Sequence, residues 1–395
     1  MKAFSFEGNG FEYFKIWIVN ILLVAITLGI YYPWAKVRAK RYFFANTSLE
    51  ERNFEYHATG TQLFLGYVIA MVLFIIYVTV QSFSPIGSIV VALIFFAGFP
   101  WIVWRSFKFN ARMTSFSNVR FSFNGALGGA YFNYMLLPII LVLIAYVIPV
   151  AVIAGVVIFL KSQPILIAVI SVVSVIITFG LFIVAFSYLK KRVTTYAIGG
   201  HRYGQGEFKV DVDTTPFVFI ALKTAGLGFL MLFVYMLLTG IVVISTLGVG
   251  AMLELQSNMG NPNAGAEFSE TILLIIGPIY IGMILGSFLL MAYSYTRQRA
   301  YVFSKMSLDG KIHFSSSLKA RSLAGVMITN FLLVLVTLGL AAPWAHVRMA
   351  KLIADNSLID ADDSIEGYIT QQQEEQSPLG EQIGDAFDVN IDVGI

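Results

Sequence analysis

The sequence predicts an α-helical multi-pass membrane protein with internal pseudo-repeats. Six transmembrane helices are expected, together with two Pro-Trp-broken apolar segments and short β-hairpins forming a cytoplasmic cap. Three observations predict this class. First, 57% of the 395 residues are hydrophobic, 12% are charged and the mean hydropathy is +0.77. A soluble chain carries about 25% charged residues, so there are too few charges here to coat a water-facing surface. Second, apolar segments recur at 14–32, 63–80, 87–104, 131–160, 165–189, 217–253, 271–295 and 322–344, several of them reaching the roughly 20 residues that cross a bilayer core. Third, the stretch from Asn20 to Arg38 returns without a gap as Asn330 to Arg348, sharing Thr-Leu-Gly and Pro-Trp-Ala.

The distribution of charge orients these segments. Most of the Lys and Arg residues fall in four loops, around Lys36–Arg52, Arg105–Arg120, Lys190–Lys209 and Arg297–Arg321, while the linkers 81–87, 161–164 and 251–270 hold almost none. By the positive-inside rule the basic loops are cytoplasmic and the bare linkers external. That defines three helical hairpins, hence six spanning helices. The first apolar run ends in Pro-Trp and a basic cluster, so no cleavable signal peptide is expected.

The basic loops also carry paired β-like runs about turns. Tyr42–Ala45 pairs with Phe54–His57 across Glu50–Asn53, and Met113–Phe116 with Arg120–Phe123. Val193–Tyr196 pairs with Phe208–Asp211, and Tyr301–Ser304 with Lys311–Phe314 across Asp309-Gly310, where Gly accepts φ > 0. Phe4–Gly8 resembles Phe121–Gly125, and Ile365–Tyr368 is a possible last relative. Isolated two-stranded hairpins are marginal in water, so these pieces need one another or the lipid headgroups. The chain then divides into units 1–62, 63–130, 131–215, 216–321 and 322–360, followed by an acidic flexible tail, 361–395.

Pro-Trp with Arg one helical turn later occurs three times: Pro33, Trp34 and Arg38; Pro100, Trp101 and Arg105; Pro343, Trp344 and Arg348. At i and i+4 the two side chains share a helix face. Trp suits the membrane interface and Arg reaches headgroup phosphates, so the chemistry points to an interfacial anchor with a bend before each Pro. A headgroup or substrate site is the sharper reading. The segments 14–32 and 322–344 are single apolar runs, and they pose a topological conflict: crossing once, the two copies would lie in opposite orientations. Two readings stand, re-entrant elements with both ends cytoplasmic, which is favoured, or eight full crossings with external termini. Irregular backbone at membrane depth needs polar partners, and Asn20, Thr27, Asn330 and Thr337 are the candidates.

No catalytic constellation is expected. Cysteine is absent, and His57, His201, His313 and His346 lack metal-ligand spacing. No nucleophile elbow, Walker loop or Rossmann loop occurs. Lys15 and Lys223 lie near segment ends, where they snorkel, and Gly282 and Gly286 form a small-xxx-small packing pair. No metal, cofactor or nucleic-acid partner is expected. The expected partners are the bilayer, anionic phospholipid headgroups and a possible membrane or envelope protein.

The stretches Phe11–Trp17, Thr27–Arg38, Arg41–Thr47, Phe54–His57, Pro100–Arg105 and Phe109–Arg112 resemble the YjgN-like family of bacterial inner-membrane proteins, a domain of unknown function. The likeness runs to about residue 360, although the central copy near Thr178–Lys190 lacks Pro-Trp. The resemblance implies a location in the bacterial cytoplasmic membrane and supplies no activity. The expected function is transport or lipid handling without catalysis, as paired repeats frame sites in transporters; the alternative is a non-catalytic envelope scaffold or regulator.

Overall fold

The computed structural model describes residues 1–159, 163–258, 267–361 and 365–375, with the side chains of 243, 246–279, 374 and 375 outside the description. Two short strands open the chain, β1 (Lys2–Ala3) and β2 (Ser5–Phe6), followed by helices α1 (Gly10–Ile26) and α2 (Tyr32–Ala45). The hairpin β3 (Thr47–Leu49)–β4 (Arg52–Tyr56) leads into α3 (Gly60–Phe83) and α4 (Pro85–Arg112). A second hairpin, β5 (Thr114–Phe116)–β6 (Val119–Phe123), precedes α5 (Leu127–Tyr131), a π-turn (Phe132–Leu136) and α6 (Leu137–Phe159). Then come α7 (Pro164–Gly199), β7 (His201–Tyr203)–β8 (Gly206–Val210), α8 (Thr214–Asn258), α9 (Glu267–Ser304) and β9 (Met306–Leu308)–β10 (Ile312–Ser316). The described residues end with α10 (Ala320–Val336), α11 (Ala342–Asp355), β11 (Ser357–Ala361) and α12 (Ile365–Glu375).

All eleven strands form one antiparallel sheet in the order β1-β11-β10-β9-β8-β7-β6-β5-β4-β3-β2. The two end strands of this order are separated in sequence by Phe4 alone, so the sheet curls into a nearly closed barrel. Lys2 pairs with Ile359 at one edge and Ser5 with Ser48 at the other. Two-residue turns with both φ positive, at Glu50–Glu51 and Ser117–Asn118, tighten two of the hairpins as type I′ geometry requires, and Asp309–Gly310, both also at positive φ, open the three-residue turn between β9 and β10. Hairpins join through aromatic and aliphatic cross-strand neighbours: Phe54 opposite Phe116, Phe121 opposite Tyr203, Phe208 opposite Leu308 and Phe314 opposite Ile359. The expected β cap is therefore a single sheet.

The strand boundaries move relative to the sequence reading. Tyr42–Ala45, Val193–Tyr196 and Tyr301–Ser304 are the last turns of α2, α7 and α9, and the strand begins just beyond them. Their aromatic and β-branched residues have strand propensity, yet what they meet is the sheet and the neighbouring helices; packing overrides local preference. Ile365–Tyr368 is helical and opens α12. Pro100 lies inside a continuous α4 rather than at a break.

The helices pack in ring order at one end of the barrel: α1 on α2, α2 on α3, and onward through α9 on α10, α10 on α11 and α11 back on α1. Among the described residues, five stretches are long and apolar enough to cross a membrane: Gly60–Phe83, Pro85–Arg112, Leu127–Phe159, Pro164–Gly199 and Thr214–Val242. The sixth expected span, 271–295, runs in α9, where side chains through 279 lie outside the described residues, as do residues 160–162 and, in the 251–270 linker, 259–266. Contacts between spans are narrow. Every residue from 69 to 76 in α3 is exposed, and eight consecutive positions exceed two helical turns, so neither face of that helix is covered. Gly282 and Gly286 seat Tyr235 and Met231 of α8 against α9, a packing role.

The two Pro-Trp-broken segments turn back. α1 leaves the sheet at β2 and α2 rejoins it at β3, the strand hydrogen-bonded to β2; α10 and α11 likewise link β10 to its neighbour β11. Both copies thus keep both ends on the sheet, which removes the reading in which each copy crosses once.

Candidate functional site: arginines at the helix–sheet junction

Each of these two helix pairs reverses through a tight turn at Thr-Leu-Gly. Leu28 (φ 49°) and Gly29 (φ 91°) are matched by Leu338 (φ 49°) and Gly339 (φ 94°). The Gly29 amide donates to the Val24 carbonyl at 2.7 Å and the Gly339 amide to the Val334 carbonyl at 2.8 Å, a Schellman-type closure. The left-handed position, usually glycine, is a leucine in both copies, and each leucine is 92% exposed. Thr27 Oγ1 accepts from the Tyr31 amide at 3.0 Å and donates to the Leu23 carbonyl at 2.7 Å. Thr337 does the same with Ala341 and Leu333 at the same distances. These hydroxyls satisfy backbone groups that the turn would otherwise strand.

Pro33, Pro100 and Pro343 are all fully buried. Trp34 and Trp344 are half-buried and each packs against a glycine. Trp34 lies flat on Gly60, where a Cβ would overlap the indole, and sits 5.1 Å from Phe64. Trp344 covers Gly10 in the same way and sits 5.1 Å from Phe14, joining the last helix pair to the first. Trp101 is 49% exposed.

The arginines one turn further along are oriented by asparagine. Asn20, buried between α1 and α2, accepts from Arg38 Nη1 at 3.2 Å and donates to the Ala35 carbonyl at 3.4 Å. Asn330 accepts from Arg348 Nη1 at 2.9 Å and donates to the Ala345 carbonyl at 3.0 Å, while Arg348 Nη2 donates to Thr329 Oγ1 at 3.0 Å. All four candidate intramembrane polar residues thus make the contacts that hold the turn and the arginine in place.

The chain belongs to the DUF898 family. The profile of that family, described as a bacterial protein of unknown function, matches residues 1–386. Inner membrane protein YjgN of Salmonella typhimurium (strain LT2) is 28% identical over 385 residues, covering 95% of this chain and 92% of that protein. Inner membrane protein YjgN of Escherichia coli (strain K12) is 28% identical over 381 residues, covering 91% and 89%. No solved structure matches. With its long apolar helices, this DUF898 chain is a multi-pass inner-membrane protein.

Two arginines escape a search for Pro-Trp. Arg38 precedes Thr47, Arg105 Thr114, Arg192 His201, Arg297 Met306 and Arg348 Ser357, nine residues ahead of a first strand residue in every case. An aromatic residue stands one turn earlier each time: Trp34, Trp101, Tyr188, Tyr293 and Trp344. Counting back from the strand, rather than from Pro-Trp, exposes this pattern. Arg192 Nε donates to Asn133 Oδ1 at 3.3 Å, with Asn133 buried in the π-turn, and its guanidinium lies over Phe132 at 5.4 Å. Arg297 lies over Tyr293 at 5.7 Å. Among the described residues, Arg38, Arg192, Arg297 and Arg348 belong to none of the ion pairs, which gather instead toward the strands and turns: Lys2–Glu50, Arg52–Glu366, Arg202–Glu207 and the terminal amine with Asp360. At these four positions the junction therefore carries positive charge held by neutral partners.

Proposed function

We propose that this protein handles anionic lipid in the inner membrane. The reading rests above all on the arginine set: Arg38, Arg192, Arg297 and Arg348, each nine residues ahead of a strand, three of them oriented by buried asparagine. A guanidinium fixed by a neutral amide keeps donors for a phosphate, which it binds in a fork. The place of these arginines is the right one, because by the positive-inside rule the basic helix ends and the sheet are cytoplasmic. The spans above carry uncovered apolar surface suited to acyl chains. The re-entrant tips agree, since a leucine held in the left-handed region costs about 1 kcal/mol and its exposed side chain is rewarded only in hydrocarbon. The matching turns and hydrogen bonds support descent of the two re-entrant elements from one repeated unit. The test is native mass spectrometry and lipid transfer between proteoliposomes. Phosphatidylglycerol is expected to bind and move in preference to phosphatidylcholine, with the preference reduced in Arg38→Gln and Arg348→Gln. Equal treatment of the two lipids at the level of protein-free vesicles refutes the proposal and leaves the scaffold reading.

A further inference from the structure

The turn end of the barrel is filled by α12. Its buried face, Ile365, Tyr368, Ile369 and Gln372, joins a core with Leu49, Phe116, Val119, Tyr203, Leu308, Ile312 and Ile359, residues drawn from seven strands. One polar contact reaches each of the four hairpins. Arg52 donates to Glu366 at 2.8 Å, and Gln373 Nε2 donates to the Ser117 carbonyl at 2.6 Å. The Gln205 amide donates to Gln372 Oε1 at 2.7 Å, and Tyr368 donates to Asp309 Oδ2 at 2.6 Å. A helix of eleven residues, about 16 Å long, meets four hairpins spread around a ring only if it lies across the centre of that ring.

The size of the ring explains why a helix is there. Eleven strands spaced about 4.8 Å apart close at a diameter of about 17–22 Å, depending on tilt. Two facing layers of side chains leave a gap about one helix wide, as in eleven-stranded barrels that hold a central helix. The seat is incomplete on one side: an open polar crevice of about 310 Å³ lies between the first two hairpins and α12, lined by Arg52, Asn53, Glu55, Ser117, Asn118 and Gln373. Alone, α12 is too short to stay helical in water, and its β-branched residues and Gly367 weaken it further. Docking and folding of this segment are one event.

We propose that α12 is a releasable stopper: the barrel mouth is a helix-binding site whose resident occupant is the chain's own C-terminal segment, and its departure opens the cytoplasmic end of the barrel. That the opening governs lipid rests on the lipid-handling reading above; the docking equilibrium does not. The absence of native cysteine makes both directly measurable. In the full chain in nanodiscs, Leu308→Cys reports the mouth. Its labelling by an impermeant maleimide is expected to be slow in the parent and about tenfold faster or more with Ile369→Asp, as local opening predicts. Unchanged labelling overturns the stopper. In a second measurement, Ser117→Cys with Gln373→Cys is bridged by a short cleavable bis-maleimide, which leaves the native core intact. Bridging is expected to suppress phosphatidylglycerol transfer and cleavage to restore it. Equal transfer with the bridge present or cleaved overturns the gating role. Absence of transfer in both states, with labelling still responsive to Ile369→Asp, removes the lipid reading and retains the stopper.

Discussion

Replacing Thr337 by Val tests the depth of the re-entrant tip. Valine keeps the shape and removes a hydroxyl that makes two bonds, accepting from the Ala341 amide at 3.0 Å and donating to the Leu333 carbonyl at 2.7 Å. The Leu333 carbonyl keeps the Thr337 amide as a donor, so its loss is partial. The Ala341 amide loses the hydroxyl it donates to. An unsatisfied buried donor costs about 1–3 kcal/mol, and the upper end applies where hydrocarbon excludes water. Thr27→Val strands the Tyr31 amide in the same way, and the two sites share no hydrogen-bond partner, so their effects add. The assay is reversible unfolding in mixed micelles and bicelles, read by tryptophan fluorescence, with Thr337→Ser as the variant that restores the bond. Losses below about 0.5 kcal/mol for both valine variants mean that water reaches the turn, and the membrane placement of the tips fails.

Three further outcomes follow from the geometry. Gly60→Ala and Gly10→Ala drive a methyl into the indoles of Trp34 and Trp344; each is expected to destabilise by about 1–3 kcal/mol, as overpacking does, and to shift tryptophan emission, whereas Gly66→Ala, in open space, leaves the emission unchanged. Burial lowers the pKa of His201 below its ordinary 6.5, partly offset by its bond to the Ala197 carbonyl. The unfolded chain therefore binds the proton more readily, so this contribution to stability is intact above about pH 6.5 and is lost as pH falls toward the depressed value; unfolding curves from about pH 8 to about pH 5 in parent and His201→Phe should differ in slope, and equal slopes refute the assignment. Asn118→Cys, on an exposed turn, should label from the cytoplasmic side only, and Leu28→Cys from neither side; periplasmic labelling of Leu28→Cys contradicts the re-entrant topology.

Segments long enough to cross a bilayer are legible because apolar length is a property of consecutive residues, and the positive charges mark their ends. The reversal at Thr27–Tyr31 was legible only as a conflict, since the same apolar run serves a crossing and a return. The β cap was visible in Phe121–Phe123 and Lys311–Phe314, but its closure was not: that depends on Lys2 meeting Ile359, a pairing no local pattern encodes. The site was half legible. Arg38, Arg105 and Arg348 were marked by Pro-Trp, while Arg192 and Arg297 share only their distance from a strand. The helix α12 was hidden because Gln371–Glu375 has the composition of a solvated tail, and its buried face amounts to Ile365, Tyr368, Ile369 and Gln372.

The split opening strand has a consequence for how the protein is made. Lys2 and Ala3 pair with Leu358 and Ile359, while Ser5 and Phe6 pair with Thr47 and Ser48. The Ser5–Phe6 half of this strand finds its partner early in synthesis, but the Lys2–Ala3 half waits until Ile359 has left the ribosome. In the interval the growing sheet presents two open edges beside the membrane, the state in which unpaired strands mispair. Closure over such a sequence separation is slow, and α12, emerging just after β11, can seat only once that strand has joined the ring. The seating of α12 thereby depends on every strand-bearing unit before it.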